Sequence, residues 1–242
     1  NLITNAEVKE VSGKQALESV TIHAKDGTTK NIECNHWLPL FGLTPTLGPI
    51  GNWGLTIEGN AIVVDNASDY QTNIEGIYAI GDVTGPPWLA HKASHEGVTT
   101  AEAIAQELGN KDVHPHPLNR DAIPGCTYCH PQIASVGLTE EKAKEAGYDV
   151  KAGTFPFIGN GKAIALGEAE GMVKTVFDAK TGELLGAHMI GAEVTELIQG
   201  FVVARTLETT EAELMNTVFP HPTISESMHE SVLASYGRAL HI

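Results

Sequence analysis

Thr72-Asn73-Ile74-Glu75-Gly76-Ile77-Tyr78-Ala79-Ile80-Gly81-Asp82 is the stretch on which the reading of the fold turns. It opens as a turn, continues as a wholly apolar run of strand length (Ile77 to Ile80) and closes on Gly81-Asp82. Such a run predicts a buried strand of an open α/β sheet, where ligands bind at the carboxyl ends of strands. Gly81 permits close backbone approach, and Asp82 can accept a hydrogen bond from a sugar-like hydroxyl. Taken alone, Gly-Asp is also an ordinary strand-ending turn.

Working outward, Leu89, Ala93, Val98, Ala101, Ile104 and Ala105 keep helical spacing and predict a helix over 88–108 that stops at Gly109-Asn110. Upstream, Ala6, Val8, Val11, Val20 and Ile22 alternate with polar residues and are separated by Ser12-Gly13 and Asp26-Gly27, the pattern of a meander of short strands. Residues 38–59, rich in Gly and Pro, read as a connection, and 61–65 as a short strand. The stiff His114-Pro115-His116-Pro117 marks a boundary, because each proline blocks helix in the residue before it. Beyond it the pattern predicts strands over 133–137, 152–157, 171–178 and 183–190. Helices are predicted over 139–146, capped by Thr139, and over 194–207 and 225–236. The fold class is therefore α/β followed by α+β, divided at 1–45, 46–112 and 113–242.

The chain has 242 residues, 42% of them hydrophobic, and a formal charge of −15. No concentrated Lys and Arg surface is available for phosphate, which excludes a nucleic-acid binder. No apolar run approaches the roughly 20 residues that span a bilayer, and Asn1 to Lys9 lack the pattern of a signal peptide. No membrane partner is expected. Cys34, Cys126 and Cys129 are an odd set that fits a reducing, cytoplasmic setting better than a disulfide scaffold.

Phe219-Pro220-His221-Pro222-Thr223-Ile224-Ser225-Glu226 pairs a residue that titrates near neutrality with a carboxylate able to orient it, the machinery for moving a thiol proton. Thr223 and Glu226 also have the spacing of a helix capping box, and both readings can hold in part. Cys126-Thr127-Tyr128-Cys129-His130 matches haem-attachment and redox patterns. The strand-like residues after Pro131 argue against both, since either would want a helix beside the motif. Zinc held by these cysteines with His114 and His116 is disfavoured by the crowding of the four, and no metal site is expected. His229 and the other histidines, including His95 and His241, read as structural or surface residues.

The segment 72–82 resembles the second flavin fingerprint of the two-dinucleotide-binding flavoproteins. Gly81 to Ala93, Pro131 to Glu140, His221 to Leu233 and Tyr236 to His241 resemble the lipoamide dehydrogenase family of flavin disulfide reductases. The resemblance implies FAD and NAD as cofactors, with Gly81, Asp82, Leu89, Ala90 and His91 at the flavin. It makes His221 the active-site acid and base, with Glu226 orienting it. It also implies a homodimer in which the interface domain places His221 in the partner subunit's site, and an acyl-transferase core of a 2-oxo acid dehydrogenase complex as a further partner.

His36 to Pro45 and Leu47 to Leu55 look more like thioredoxin-reductase-like ferredoxin reductases. These 242 residues hold no Gly-x-Gly-x-x-Gly and no Cys-x4-Cys, so the expectation is the carboxyl-terminal part of a longer flavoprotein, inactive alone. The alternatives are a non-catalytic dimerisation or scaffold fragment, or a hybrid with the ferredoxin reductases.

Overall fold

A computed structural model describes residues 3, 5–36, 46–64 and 67–241. The Trp37 to Pro45 part of the ferredoxin-reductase-like stretch lies outside the described residues, as does the Asp65 end of the strand expected over 61–65. The chain divides into two compact units, Asn1–Thr46 and Leu47–Ile242.

The first unit is the expected meander: β1 (Ala6–Ser12), β2 (Ser19–Ala24) and β3 (Thr29–Glu33) form one antiparallel sheet in sequence order. Alternation buries Val20 and Ile22 on one face of β2. Asp26 closes the β2–β3 turn by accepting from the N–H of Thr28 at 2.9 Å, with Gly27 at φ +85°.

The second unit begins with a small layer. β4 (Ile57–Glu58) and β5 (Ala61–Ile62) form a tight hairpin whose turn residues, Gly59 and Asn60, both have positive φ, as a primed turn requires. Leu55, Ile62 and Ala79 form its core. Residues 77–80, expected as a buried strand, are extended, but the structure gives them only a bridge from Tyr78 to Gln71 and leaves Ile80 37% exposed. A doubly covered strand needs a ladder on both edges, and the described residues supply none on the second edge. The long helix α1 (Ala90–Glu107) follows, starting two residues after Trp88 and ending at Gly109-Asn110 as expected.

The main core is a five-stranded antiparallel sheet in the order β6 (Gly125–Thr127), β7 (Gln132–Gly137), β10 (Leu184–Gly191), β9 (Met172–Asp178), β8 (Val150–Pro156). Helices α4 (Val194–Thr206) and α6 (Glu226–Ala234) cover one face, packing Ile198, Phe201, Met228 and Val232 onto Val136, Val173, Phe177 and Ala187. Helix α2 (Glu140–Glu145), capped by Thr139 as expected, lies against the other face through Ala143, Val176 and Leu185. Two short helices complete this unit, α3 (Gly161–Leu166), which was not anticipated, and α5 (Glu211–Asn216). The acidic helix face that the sequence places over 208–213 overlaps the first turn of α5, which opens on a Thr210–Glu213 capping box. The elements form the α+β arrangement expected of this region.

Candidate active site

Helix α6 sits close on β8 because Gly153 has no side chain: a Cβ there would fall 2.2 Å from Ser231 O. Thr175 of β9 adds a hydrogen bond from its hydroxyl to the same carbonyl at 3.1 Å. These contacts fix the helix whose first residue is Glu226.

Glu226 divides its carboxylate. Oε1 lies 2.9 Å from His221 Nδ1, and Oε2 accepts from the Thr223 N–H at 2.9 Å. The second bond is half of the capping box weighed from the sequence. The reciprocal half is missing, because the Thr223 hydroxyl donates to Pro220 O at 2.6 Å and the helix cap is Ser225. Burial pushes the Glu226 carboxyl up, but the Thr223 N–H, the hydrogen bond to His221 and the charges of His221 and His241 outweigh it and hold the group below its ordinary range. The carboxylate is largely sheltered, whereas the His221 ring is 80% exposed.

Asn160, which sequence reasoning did not single out, holds this loop from outside. It is 4% exposed, and its amide donates to Thr223 O at 3.0 Å and to Ser227 Oγ at 2.9 Å. Its oxygen meanwhile accepts from Ala163 N at 2.9 Å and caps α3. Asn before a helical run was the available signal.

The Gly81-Asp82 segment forms a separate constellation. Residues 81–84 make a single 3-10 turn, with Gly81 at φ +74° and only 3.1 Å between a Cβ there and Ala93 Cβ. The turn is clamped by an ion pair invisible to motif reading. Lys92 and Glu96 are 1% and 0% exposed and lie 3.0 Å apart. Glu96 accepts the Gly81 N–H at 2.6 Å, and Lys92 donates to Gly81 O, Thr84 Oγ1 and Gly85 O at 3.1–3.3 Å. Their i,i+4 spacing was the one sequence signal. The clamp leaves the Asp82 side chain exposed.

Helix α1 begins without a side-chain cap at Leu89, so among the described residues no cap side chain takes up the N–H groups of its first turn, which lie at a positive dipole end. The His91 ring is engaged elsewhere, 2.9 Å from Pro124 O. His91 and His95 line a cleft of about 610 Å³ that also includes His116 and Cys126, and His221 is on none of its walls. All three cysteines are free. Burial and the Glu196 charge push the Cys126 thiol up, against the need of a reactive thiolate.

Residues 1–97 match the family described as pyridine nucleotide-disulphide oxidoreductase, and residues 123–232 match its dimerisation domain. The chain belongs to the pyridine nucleotide-disulphide oxidoreductase family. Within that family it is 54% identical over 242 residues to dihydrolipoyl dehydrogenase of Zymomonas mobilis, covering 99% of this chain and 50% of that protein. It is 41% identical to dihydrolipoyl dehydrogenase of Bacillus subtilis, over 99% of this chain and 49% of the relative. LpdA from Mycobacterium tuberculosis matches with a TM-score of 0.77 at 27% identity, over 94% of this chain and 48% of that one. The flavoprotein disulfide reductase RclA from Escherichia coli also gives 0.77, at 25% identity, over 94% and 50%. The chain spans about half the length of the curated relatives it matches. No helix among the described residues is long and apolar enough to cross a membrane.

Proposed function

We propose that these residues carry the proton-transfer half of a dihydrolipoamide dehydrogenase. The observation that carries this reading is the contact of Glu226 Oε1 with His221 Nδ1 at 2.9 Å, next to an exposed ring. With Glu226 ionised, Nδ1 holds the hydrogen it donates and Nε2 is the basic nitrogen. Nε2 then accepts the proton of a dihydrolipoamide thiol, and Glu226 stabilises the imidazolium formed. The thiol–disulfide couple served is a Cys-x4-Cys pair, which these 242 residues do not contain.

The Gly81–His91 segment fits FAD. Close approach at Gly81, the exposed Asp82 carboxylate and the uncapped start of α1 suit a sugar-like chain and the polar edge of a ring. Asp82 would hold a ribityl hydroxyl, and the backbone at Leu89, Ala90 and His91 the ring edge. Bound FAD supplies a two-electron relay between the thiol–disulfide couple and NAD⁺. In this reading 1–45 ends a nicotinamide-binding domain, 46–112 returns to the FAD domain and 113–242 is the interface domain.

The match to a dimerisation domain supports a homodimer in which His221 serves the partner's site. Docking on the acyl-transferase core of a 2-oxo acid dehydrogenase complex and a cytoplasmic location complete the proposal. The test is His221→Ala in the full-length enzyme, followed by rapid mixing with dihydrolipoamide. Thiol oxidation should slow by about 10²-fold or more with flavin content retained. Normal turnover would overturn the assignment.

A further inference from the structure

Helix α6 carries a second carboxylate one turn beyond Glu226. Glu230 is buried, its side chain 5% exposed, and it lies at the i,i+4 position on the same helix face. Its Oε1 is 2.8 Å from His241 Nδ1, and its Oε2 accepts from the Leu240 N–H at 2.9 Å. A carboxylate this deep needs partners for both oxygens, and the segment that follows α6 turns back to supply them.

We propose that His241 and Glu230 form a second histidine–carboxylate pair that positions the first, the charge of His241 biasing the His221–Glu226 pair from one helical turn away. This rests on the reading of His221–Glu226 as the acid–base pair. The charge of His241 already contributes to holding the Glu226 carboxyl low. On α6 the other titratable group is His229, whose Nε2 lies 3.0 Å from Met215 O and whose ring stacks on Phe219. The charged groups on the elements packed against α6 have other neighbours: Arg205 of α4 donates to Leu184 O and Leu185 O, and Glu196 of α4 is exposed beside Cys126. Lys151 of β8 lies over the Tyr236 ring, and Lys174 of β9 pairs with Glu140. Asp178 of β9 accepts from Lys180 N and Thr181, Glu213 of α5 caps its own helix, and Glu211 lies against Gly182. Arg238 reaches toward Met215 Sδ at 3.7 Å. The Glu230 carboxylate lies one turn from Glu226, and His241, its hydrogen-bonded partner, is the group placed to offset that negative charge.

Losing a positive charge near the pair makes it hold its proton more tightly, so the apparent pKa governing thiol oxidation must rise. The experiment compares pH profiles of dihydrolipoamide oxidation for the full-length enzyme and its His241→Gln, His241→Lys and His221→Ala variants, with the thermal midpoint measured beside each. His241 is 63% exposed, so both substitutions there are tolerated by packing. His241→Gln should shift the acid limb upward by about half a pH unit or more, and His241→Lys should restore it. A His241→Gln profile that superposes on the parent overturns the inference, as does a shift that lysine fails to reverse. If His221→Ala turns over normally, the underlying assignment falls instead. A slow His221→Ala with an unshifted His241→Gln removes only the second pair.

Discussion

Oε1 of Glu226, the first residue of its helix, meets Nδ1 of His221 at 2.9 Å, five residues earlier in the chain and across a loop that Glu226 also ties down through the Thr223 N–H. One side chain thus orients the ring and shapes the loop that presents it. Glu226→Gln keeps the volume and a donor–acceptor pair but removes the charge that stabilises an imidazolium. In the full-length enzyme this change should slow thiol oxidation by roughly 10-fold to 10²-fold, less than His221→Ala, with little loss of flavin. Rapid-mixing rates equal to the parent would exclude an electrostatic role for Glu226.

Asn160 bonds the loop at two points and caps α3 at a third. Asn160→Ala leaves Thr223 O and Ser227 Oγ without their shared donor in a buried setting and should destabilise by about 1–3 kcal/mol. Because the loop then loses its outer anchor, the rate of thiol oxidation should fall together with the denaturation midpoint. A normal midpoint and rate would show that water replaces the amide without cost.

Lys92 and Glu96 stand or fall as a pair. Lys92→Met strands a fully buried carboxylate and should cost about 3–5 kcal/mol, while Lys92→Met with Glu96→Leu should cost less than the single change. Both release the turn at Gly81–Gly85, so the full-length protein should lose flavin on dialysis in either case. Retention of flavin by the double variant would show that the turn holds its shape without the clamp.

Acid stability offers a check away from the site. Hydrogen bonds from Lys144 and Lys174, with their charges, pull the Glu140 carboxyl down from 4.5 to about 2. A carboxyl with a lowered folded value adds stability that is fully present above its unfolded value and is lost as pH falls through the folded one. The parent should therefore lose this contribution between about pH 4.5 and about pH 2. Glu140→Gln should flatten that part of the thermal-midpoint curve, and added salt should shrink the difference, because the cluster is partly exposed. Parallel curves for parent and variant would exclude the pairing in solution.

Periodicity and punctuation made most elements legible. The strands β7, β9 and β10 and the helices α1, α4 and α6 lie within a few residues of where alternation and helical spacing place them, because each buries one continuous apolar face. Helix α3 went unread because six residues are too short for a period to show, and only its cap, Asn160, marks it. Residues 77–80 read as a buried strand because apolarity is local, whereas a ladder depends on neighbours distant in the chain.

The sequence by itself determined that His221 and Glu226 lie five apart at a helix start, that Gly81-Asp82 ends an extended apolar run, and that an α/β part precedes an α+β one. Only the tertiary structure decided that one carboxylate serves both His221 and the loop, that Asn160 reaches across from another element, and that Lys92 with Glu96 and Glu230 with His241 are buried or half-buried pairs. The physical reason is range: a period or a cap is written in consecutive residues, but a hydrogen bond across 63 positions or a charge removed from water depends on which surfaces the fold brings together.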